Sequence, residues 1–225
     1  MSKKVNKNVP ELRFKEFQEK LLNTTFKKVV LSNQYGPRFN ANDYDMDGNV
    51  KTIRGTDISL DGEIKYSQVP IAKLDFDSIE NHILKDGDLV MITTADCGLT
   101  GVFRKQDFDY IPSAYAVKIA LNEMGNPEYF KYFFQTNHAN NEVRSFIRKA
   151  TVANLPCSDI LRIKLHLPNI QEQTKIADFL TVIATRLTQL RRKHKLVQTY
   201  KRGVMQKLFS QQIRFKCDRG KPFPD

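Results

Sequence analysis

The sequence predicts an α+β fold class, in which a mixed α/β domain is followed by a long coiled-coil α-helix. Two observations predict this arrangement. From Ile176 onward an apolar residue recurs every three or four positions for more than four heptads, which is typical of a coiled-coil seam. The preceding part of the chain instead holds short β-branched and aromatic segments separated by turn residues, as strands are.

Four segments of the domain have the composition and the boundaries of β-strands. Each is rich in β-branched or aromatic residues and is bounded by Gly, Asp, Asn or Pro. The predicted strands are Phe26–Leu31, Val50–Ile53, Asp88–Thr93 and Ala114–Leu121. Asp-Gly pairs at 47–48, 61–62 and 86–87 predict tight turns between them.

Two helices and one further strand are predicted next. Asn126 is a favourable N-cap and Pro127 suits the first helical position, so one helix is expected to start there. A second helix is predicted from Asn141 to Lys149. The segment Ile160–Leu167 alternates apolar and polar residues, which predicts a half-buried strand.

The long helix is predicted from about Ile170 to Phe209, with Asn169 and Glu172 in the spacing of a capping box. Its seam positions are Ile176, Leu180, Ile183, Leu187, Leu190, His194, Val197, Lys201, Val204 and Leu208. Such a seam cannot be buried against its own helix, so a second helix from a partner or another copy is expected. At Lys201 we expect a hydrated stretch or an acidic partner residue, because a buried unpaired charge is costly.

Three regions are predicted: 1–167 as the domain with its N-terminal lead-in, 168–210 as the helix, and 211–225 as a tail. The tail resembles the start of a second repeat, because Leu12-Arg13-Phe14-Lys15 returns as Ile213-Arg214-Phe215-Lys216, displaced by 201 residues.

The net charge of +11 belongs mostly to the helix and its tail. Ten Lys or Arg and no Asp or Glu fall between Thr181 and Lys216, whereas the rest of the chain holds 26 basic and 25 acidic residues. A basic helix binds nucleic acid or an acidic partner, or is simply solvated. If the chain binds nucleic acid, its near-neutral domain predicts that non-specific affinity comes largely from elsewhere.

Several classes of protein are not favoured. No apolar run reaches the roughly 18 residues of a membrane span, and no secretory signal follows Met1. The odd number of scattered cysteines fits a reducing compartment, which predicts a cytoplasmic location. The residues concerned are Cys97, Cys157 and Cys217.

No catalytic or metal-binding residue is predicted. The segment Asn126-Pro127-Glu128-Tyr129 lacks the second proline of an adenine methyltransferase loop, and no glycine-rich cofactor or phosphate loop is present. Three carboxylates could suggest a metal-dependent nuclease, but they lack the nearby lysine of such a site and are interpreted as surface charge. The four histidines are isolated from one another in the sequence. These residues are Asp75, Asp77, Glu80, His82, His138, His166 and His194.

Several segments resemble the specificity subunits of type I restriction–modification systems. The stretches 167–180 and 203–216 resemble the entry and the exit of the conserved helix in that family. Shorter resemblances occur at the amino terminus, inside the target recognition domain and at its closing stretch. They lie at Pro10–Phe14, Ile53–Ile58, Gly87–Val90, Asn154–Leu155 and Ser158–Ile160.

The resemblance implies a non-catalytic, DNA-reading subunit of a methyltransferase and endonuclease complex. Family members usually hold two recognition domains and two antiparallel long helices, whereas this chain holds one of each. We therefore expect a half-length subunit that forms a homodimer through its seam. Pairing with a different half-subunit, or origin as a fragment of a longer protein, remain alternatives.

The partners implied are double-stranded DNA, methyltransferase (modification) subunits and a restriction or motor subunit. S-adenosylmethionine, ATP and Mg²⁺ are expected on those partners, and no cofactor is expected on this chain. One domain would read a half-site while the dimerised helix docks the methyltransferase subunits.

Side chains that read bases need donors and acceptors on loops, together with basic groups for phosphates. Residues near the predicted strand ends meet this description. We nominate Gln34, Tyr35, Arg38, Asn40, Arg54, Thr56, Thr93, Thr94, Arg104, Lys105, Tyr115, Lys149 and Thr151. Two rival functions stay open: a DNA-modifying enzyme (nuclease or methyltransferase) with an unrecognised motif, and a coiled-coil adaptor that binds only protein.

Overall fold

In the computed structural model, the described residues are 13–148 and 153–215. The chain divides into two units, Met1–Ala177 and Asp178–Asp225. The first contains a mixed α/β domain and the opening turns of the long helix, and the second contains the remainder of that helix. This arrangement confirms the predicted fold class, while the predicted limits of the three regions stay predictions.

Within the described residues the strands are short and the helices differ greatly in length. The strands are Leu22–Thr25 (β1), Val30–Tyr35 (β2), Val50–Ile53 (β3), Ile71–Ala72 (β4), Leu89–Ile92 (β5), Thr100–Val102 (β6), Tyr110–Pro112 (β7), Ala116–Leu121 (β8) and Lys164–Leu167 (β9). The α-helices are Phe76–Ile79 (α1), Pro127–Phe133 (α2), Asn137–Phe146 (α3), Cys157–Ile160 (α4) and Ile170–Phe209 (α5). Short 3-10 helices lie at Phe26–Lys28, Ala41–Asp43, Gly55–Asp57, Tyr66–Gln68 and Glu80–His82.

The strands form three small sheets. Strands β2, β8, β5 and β6 lie side by side in that order, and each neighbouring pair is antiparallel. A second sheet has the order β4, β3, β7, in which β3 and β7 run parallel. Strands β1 and β9 form an antiparallel pair that joins the two ends of the domain sequence.

Aromatic contacts hold the domain core together. The Phe26 ring lies 5.0 Å from the Phe130 ring and 5.2 Å from the Phe134 ring, so α2 packs against the start of the domain. A second cluster joins Phe103 and Tyr110, whose ring centroids are 5.4 Å apart. All these rings except that of Phe134 are at most 2% exposed, so they supply much of the hydrophobic stabilisation.

Two strand predictions are wrong in their first halves. The segment Phe26–Leu31 begins as a 3-10 helix, and the strand runs from Val30 to Tyr35. Here the backbone amide of Phe26 donates to the carbonyl of Ile163, so tertiary pairing overrides the β-branched pattern. In Ile160–Leu167 only the last four residues are a strand, because Ile160 is the last residue of α4 and a turn follows it.

The other strand predictions agree with the structure. Strand β3 spans the predicted residues, and β5 and β8 lie within theirs. The second predicted helix begins earlier than expected, because Thr136 Oγ1 accepts a hydrogen bond from Ala139 N and caps α3 there. That helix ends at Phe146, and the predicted end Lys149 lies outside the described residues.

The predicted starts of α2 and of the long helix α5 are confirmed. Asn126 Oδ1 accepts a hydrogen bond from Tyr129 N at 3.0 Å, and α2 opens at Pro127. For α5, Asn169 Oδ1 accepts from Glu172 N at 2.9 Å, and the helix runs from Ile170 to Phe209 as predicted.

The Glu172 side chain does not complete the capping box, because it forms an ion pair with Arg13. Both bonds of this bidentate pair measure 2.6 Å, and the two side chains are 9% and 2% exposed. The hydrogen bond to Glu172 raises the pKa of the Arg13 guanidinium above its usual value. The neighbouring Gln173 is fully buried and donates to the carbonyls of Met124 and Pro168. The first turns of α5 are therefore part of the domain core.

No helix in residues 13–148 and 153–215 is long and apolar enough to cross a membrane.

Removal of one partner from the Arg13–Glu172 pair should destabilise the domain strongly. We expect Arg13→Ala to lower the free energy of unfolding by about 3 kcal/mol, because it leaves a buried carboxylate without its counter-charge. Urea denaturation followed by circular dichroism measures the change. The matched control is Glu16→Ala, which removes the exposed Glu16–Lys175 ion pair and should cost at most about 1 kcal/mol. Equal effects of the two variants would contradict the structural role of the buried pair.

Candidate nucleic-acid interface

Four strands end around one turn of the domain, at residues 113–115. Strands β2 and β5 are both antiparallel to β8, so both end where β8 begins. The parallel strands β3 and β7 end at the same place, because Ser113 N donates to the carbonyl of Ile53 at 2.9 Å. We call the exposed and partly exposed side chains around this turn the strand-end surface. It comprises Tyr35, Arg38, Arg54, Thr56, Thr94, Tyr115, Arg148 and Asn154.

Tyr115 lies at the tip of the turn on a fixed backbone. Its carbonyl accepts hydrogen bonds from both Thr93 N (2.9 Å) and Thr93 Oγ1 (3.0 Å), and Ala116 N closes the turn on Ser113 O. The Tyr115 side chain is 67% exposed. The structure thus presents a large aromatic ring on an anchored support.

Thr93 was nominated as a base contact, and the structure gives it a different place. Its side chain is buried and its hydroxyl is bonded to the Tyr115 carbonyl. Thr93 therefore supports the strand-end surface from below, while its neighbour Thr94 is partly exposed.

Arg54 follows β3 and is held by a buried carboxylate. Its Nε and Nη2 atoms each lie 3.0 Å from an oxygen of Asp57, which is fully buried. The hydrogen bond to Asp57 raises the pKa of the Arg54 guanidinium above its usual value. The Arg54 side chain is 43% exposed, and the adjacent Thr56 is also exposed. This pair fixes the direction of a guanidinium at the surface.

Tyr35 closes the other side of the strand-end surface. Its phenol oxygen accepts a hydrogen bond from Cys157 N at 2.9 Å, which ties β2 to the start of α4. The next residue, Gly36, lies directly against β7. A Cβ atom there would come within 2.0 Å of the Pro112 carbonyl oxygen and 2.4 Å of the Ser113 carbonyl oxygen. Only glycine permits this approach.

Arg148 belongs to this surface, although no motif in the sequence predicts it. Its backbone pairs with Asn154, which in turn bridges Thr94 at the end of β5. The available signal was only its position beside the nominated Lys149. Lys149 and Thr151 themselves lie outside the described residues.

The remaining nominated residues lie elsewhere, except Arg38, which is exposed two positions after Gly36. The Gln34 amide donates to the carbonyl of Asn81. Asn40 opens a 3-10 turn beside β4, where its backbone N–H donates to Asp43 Oδ2 at 2.7 Å.

Arg104 and Lys105 follow β6, whose last residue is paired with the first residue of β5, so they lie at the opposite end of the sheet. Arg104 forms ion pairs there with Asp86 (3.4 Å) and Glu128 (2.6 Å). Contact of these residues with DNA stays a prediction.

The strand-end surface offers hydrogen bonds and stacking rather than a catalytic group. Guanidinium, phenol, hydroxyl and amide groups are the ones that proteins use to contact base edges and phosphates. Two cysteines lie close by, and burial raises the pKa of the Cys97 and Cys157 thiols. In the described part of the chain, no group of three or more His, Cys, Asp or Glu side chains could hold a metal ion.

Residues 17–198 match the family model described as "Type I restriction modification DNA specificity domain". No curated protein matches the sequence significantly.

Solved structures of similar fold come from the same kind of system. One is a chain from a study of complex assembly and conformational transition of the type I R-M system (TM-score 0.61, 16% identity), for which the match covers 81% of this chain and 43% of that one. Another is the type I restriction–modification S subunit from M. genitalium (TM-score 0.55, 14% identity), with 84% and 46% covered. A third is the HsdS subunit from Thermoanaerobacter tengcongensis (TM-score 0.51, 16% identity), with 76% and 39% covered. The chain therefore spans less than half the length of each of these proteins, and at these identities the likeness concerns the fold.

A side chain at Gly36 should disrupt the strand-end surface. We expect Gly36→Ala to lower the free energy of unfolding by about 3 kcal/mol, because its Cβ would collide with backbone atoms that cannot move independently. The matched control is Gly203→Ala in α5, where no atom lies within 4 Å of the new Cβ. That variant should be stabilising by up to about 1 kcal/mol, since alanine is the better helix former. Thermal denaturation of both variants checks the pair, and a neutral Gly36→Ala would contradict the packing described.

Proposed function

The chain belongs to the type I restriction modification DNA specificity domain family, and we propose that it is a non-catalytic subunit that reads one half-site of double-stranded DNA. The observation that carries the proposal is the strand-end surface, where four strands present fixed polar and aromatic side chains at one edge of the domain. Reading a base sequence requires such groups in defined positions.

Arg54 and Tyr115 are the central residues of the proposed reading surface. A guanidinium held in one direction can form paired hydrogen bonds with the major-groove edge of guanine. An exposed tyrosine adds hydrogen bonding and stacking at a low entropic cost, because it has few rotatable bonds. Asp57 already holds the Arg54 guanidinium and Thr93 holds the backbone of Tyr115, so less ordering energy remains to be supplied on binding.

The long helix supports a role in assembly. Four of its predicted seam residues, Ile183, Leu187, Leu190 and Val197, are between 41% and 55% exposed. Apolar side chains at heptad spacing are stable in water only when a second helix covers them. We propose that a second copy of this chain supplies that helix, which gives a homodimer.

Three exposed apolar residues of α5 lie outside the predicted seam, on a face of the helix that also carries Arg186, Gln189 and Lys193. Val182, Leu196 and Tyr200 are 61–74% exposed and lie about 100° around the helix from the seam. We propose that this face docks the methyltransferase subunits. Those partners would carry S-adenosylmethionine, and a restriction or motor subunit would use ATP and Mg²⁺, so this chain itself needs no cofactor.

A two-fold dimer would present the same reading surface twice and in opposite directions. Its DNA target should therefore be an interrupted palindrome with identical half-sites. Pairing with an unlike half-subunit would give two different half-sites instead.

Mapping methylated adenines in cells that express this chain with its methyltransferase tests the reading function. We expect methylation in both halves of an interrupted palindrome. Arg54→Ala should lose or relax recognition at one base position, with a cost of about 1–3 kcal/mol at that base pair. The control variant Lys85→Ala removes an exposed charge just before β5, at the other end of the sheet, and should leave the target sequence unchanged. Methylation with no sequence preference would favour a protein-only adaptor. Activity of the purified chain alone with DNA and Mg²⁺, or with a labelled methyl donor, would favour an enzyme.

The proposed dimer is tested by two neighbouring substitutions in α5. Leu187→Asp places a charge in the seam and should raise the dimer dissociation constant by about 100-fold or more, because an unpaired charge would be buried in each copy. Thr188→Asp adds the same charge outside the seam, about 100° around the helix from Leu187, and should leave the dimer intact. Analytical ultracentrifugation measures both variants. A wild-type chain that is monomeric at micromolar concentration would contradict the homodimer.

A further inference from the structure

A basic groove lies between the β1–β9 pair and the ends of α3 and α4. It has a volume of about 600 Å³, and its polar lining consists of Thr25, Lys27, Ser158, Arg162 and Lys164. Among the described residues, no carboxylate lines this groove. Because the domain as a whole is close to neutral, a local group of cations with hydroxyls between them is a distinct feature of its surface.

Backbone pairing places these side chains together. Thr25 and Lys164 are directly opposite each other in the antiparallel pair, so their side chains share one face. That face is exposed at Lys164, while the next residue, Leu165, faces the core. Lys27 joins the group because its amide donates to the carbonyl of Leu161 at 3.0 Å.

Arg162 is held at the edge of this groove. Its guanidinium lies 5.1 Å from the centre of the Phe146 ring, and its Nη1 atom lies 3.1 Å from Asp159 Oδ1. The other oxygen of the same carboxylate lies 3.9 Å from Arg148 Nη2. One carboxylate thus faces two guanidiniums and cannot neutralise both.

The local balance of charge remains positive when the carboxylates that bond to these segments are counted. Glu142 accepts a hydrogen bond from the backbone amide of Lys164 at 3.2 Å, and Asp159 lies between the two arginines. Four cations, namely Lys27, Arg148, Arg162 and Lys164, therefore face two carboxylates. All four cationic residues are exposed, so an anion can reach them.

The groove is continuous with the strand-end surface. Arg148 shares Asp159 with Arg162 on the groove side. On the other side, its backbone pairs with Asn154, which bridges Thr94 at the end of β5. A line of contacts therefore leads from the residues proposed to read bases to the cationic groove.

We propose that this groove binds backbone phosphates of DNA next to the half-site that the strand-end surface reads. The inference rests on the proposed function and adds a phosphate-binding site, with Lys27, Arg162 and Lys164 as its cations. Phosphate contacts fix the position of a protein on the duplex without reading its sequence. They also make the affinity depend on salt, because each neutralised phosphate releases condensed counterions.

The test measures binding of the full-length chain to a fluorescent mixed-sequence DNA duplex over a range of salt concentrations. The double variant Lys27→Gln/Lys164→Gln should lower the slope of log affinity against log salt by about two units, since each phosphate contact contributes about 0.9. Affinity at low salt should fall by about tenfold, equally for target and non-target DNA. The methylated target sequence should not change.

Two further variants make the result specific. Lys73→Gln/Lys85→Gln removes the same charge from exposed residues outside the groove and should leave the salt slope unchanged. Ser158→Glu places a negative charge inside the groove, near the start of α4, and should weaken binding to every duplex. Circular dichroism and thermal denaturation of each variant show that the fold is retained.

The outcomes separate this inference from the proposed function. An unchanged salt slope in Lys27→Gln/Lys164→Gln, or an equal loss in the control variant, would overturn the phosphate site while leaving sequence reading intact. Failure of the wild-type chain to bind duplex DNA in a salt-dependent way would overturn the phosphate site as well.

Loss of methyltransferase binding with unchanged DNA binding would show that the groove binds an acidic protein surface instead of DNA. Random methylation with a normal salt slope would contradict sequence reading and leave the phosphate site standing.

Discussion

Backbone hydrogen bonds to the turn at 113–115 are the constraint on which the candidate interface depends. The backbone N–H of Ser113 donates to the carbonyl of Ile53, and that of Thr93 donates to the carbonyl of Tyr115. The backbone N–H of Gly36 donates to the carbonyl of Ala116, the residue after the turn. These bonds bring the ends of strands from two different sheets to a single edge. They also leave Gly36 no room for a side chain. The backbone that carries the exposed residues at this edge therefore forms hydrogen bonds with several neighbouring strands.

Buried carboxylates fix basic side chains in two separate places. Asp57 holds Arg54 at the strand-end surface, and Glu172 holds Arg13 at the first turns of α5. In each case the acid is almost completely buried, so the pair is screened little by solvent and its geometry is restricted. The partly exposed Arg54 remains able to interact outward, whereas Arg13 is buried and serves packing. The same chemical pair thus lies at the proposed reading surface in one place and in the packed core in the other.

Charge is distributed unevenly, and this distribution bears on how the chain would meet DNA. The helix and its tail carry most of the excess positive charge, whereas the domain is nearly neutral. Within that domain, cations gather around the basic groove while acidic partners neutralise Arg104 and Lys131 elsewhere. A nearly neutral domain with a local cationic groove favours binding to the duplex in a defined orientation over non-specific binding in many orientations.

The sequence by itself determined the elements whose signals are local. The heptad spacing gave α5 from Ile170 to Phe209, and Asn126 with Pro127 gave the start of α2, because caps and periodicity depend on residues a few positions apart. Strand β3 followed in the same way from its β-branched composition. The family resemblance likewise depended only on short runs of residues in the sequence.

Only the tertiary structure decided which nominated side chains lie together. Thr93 and Thr94 are neighbours in sequence, yet one is buried under Tyr115 and the other reaches the surface. Arg104 ends at the far side of the sheet because β5 and β6 are antiparallel, which no local pattern reveals. Arg148 and the basic groove depend on pairings between segments far apart in the chain. Long-range register, which is set by packing, decided the site, whereas short-range propensity decided the helices.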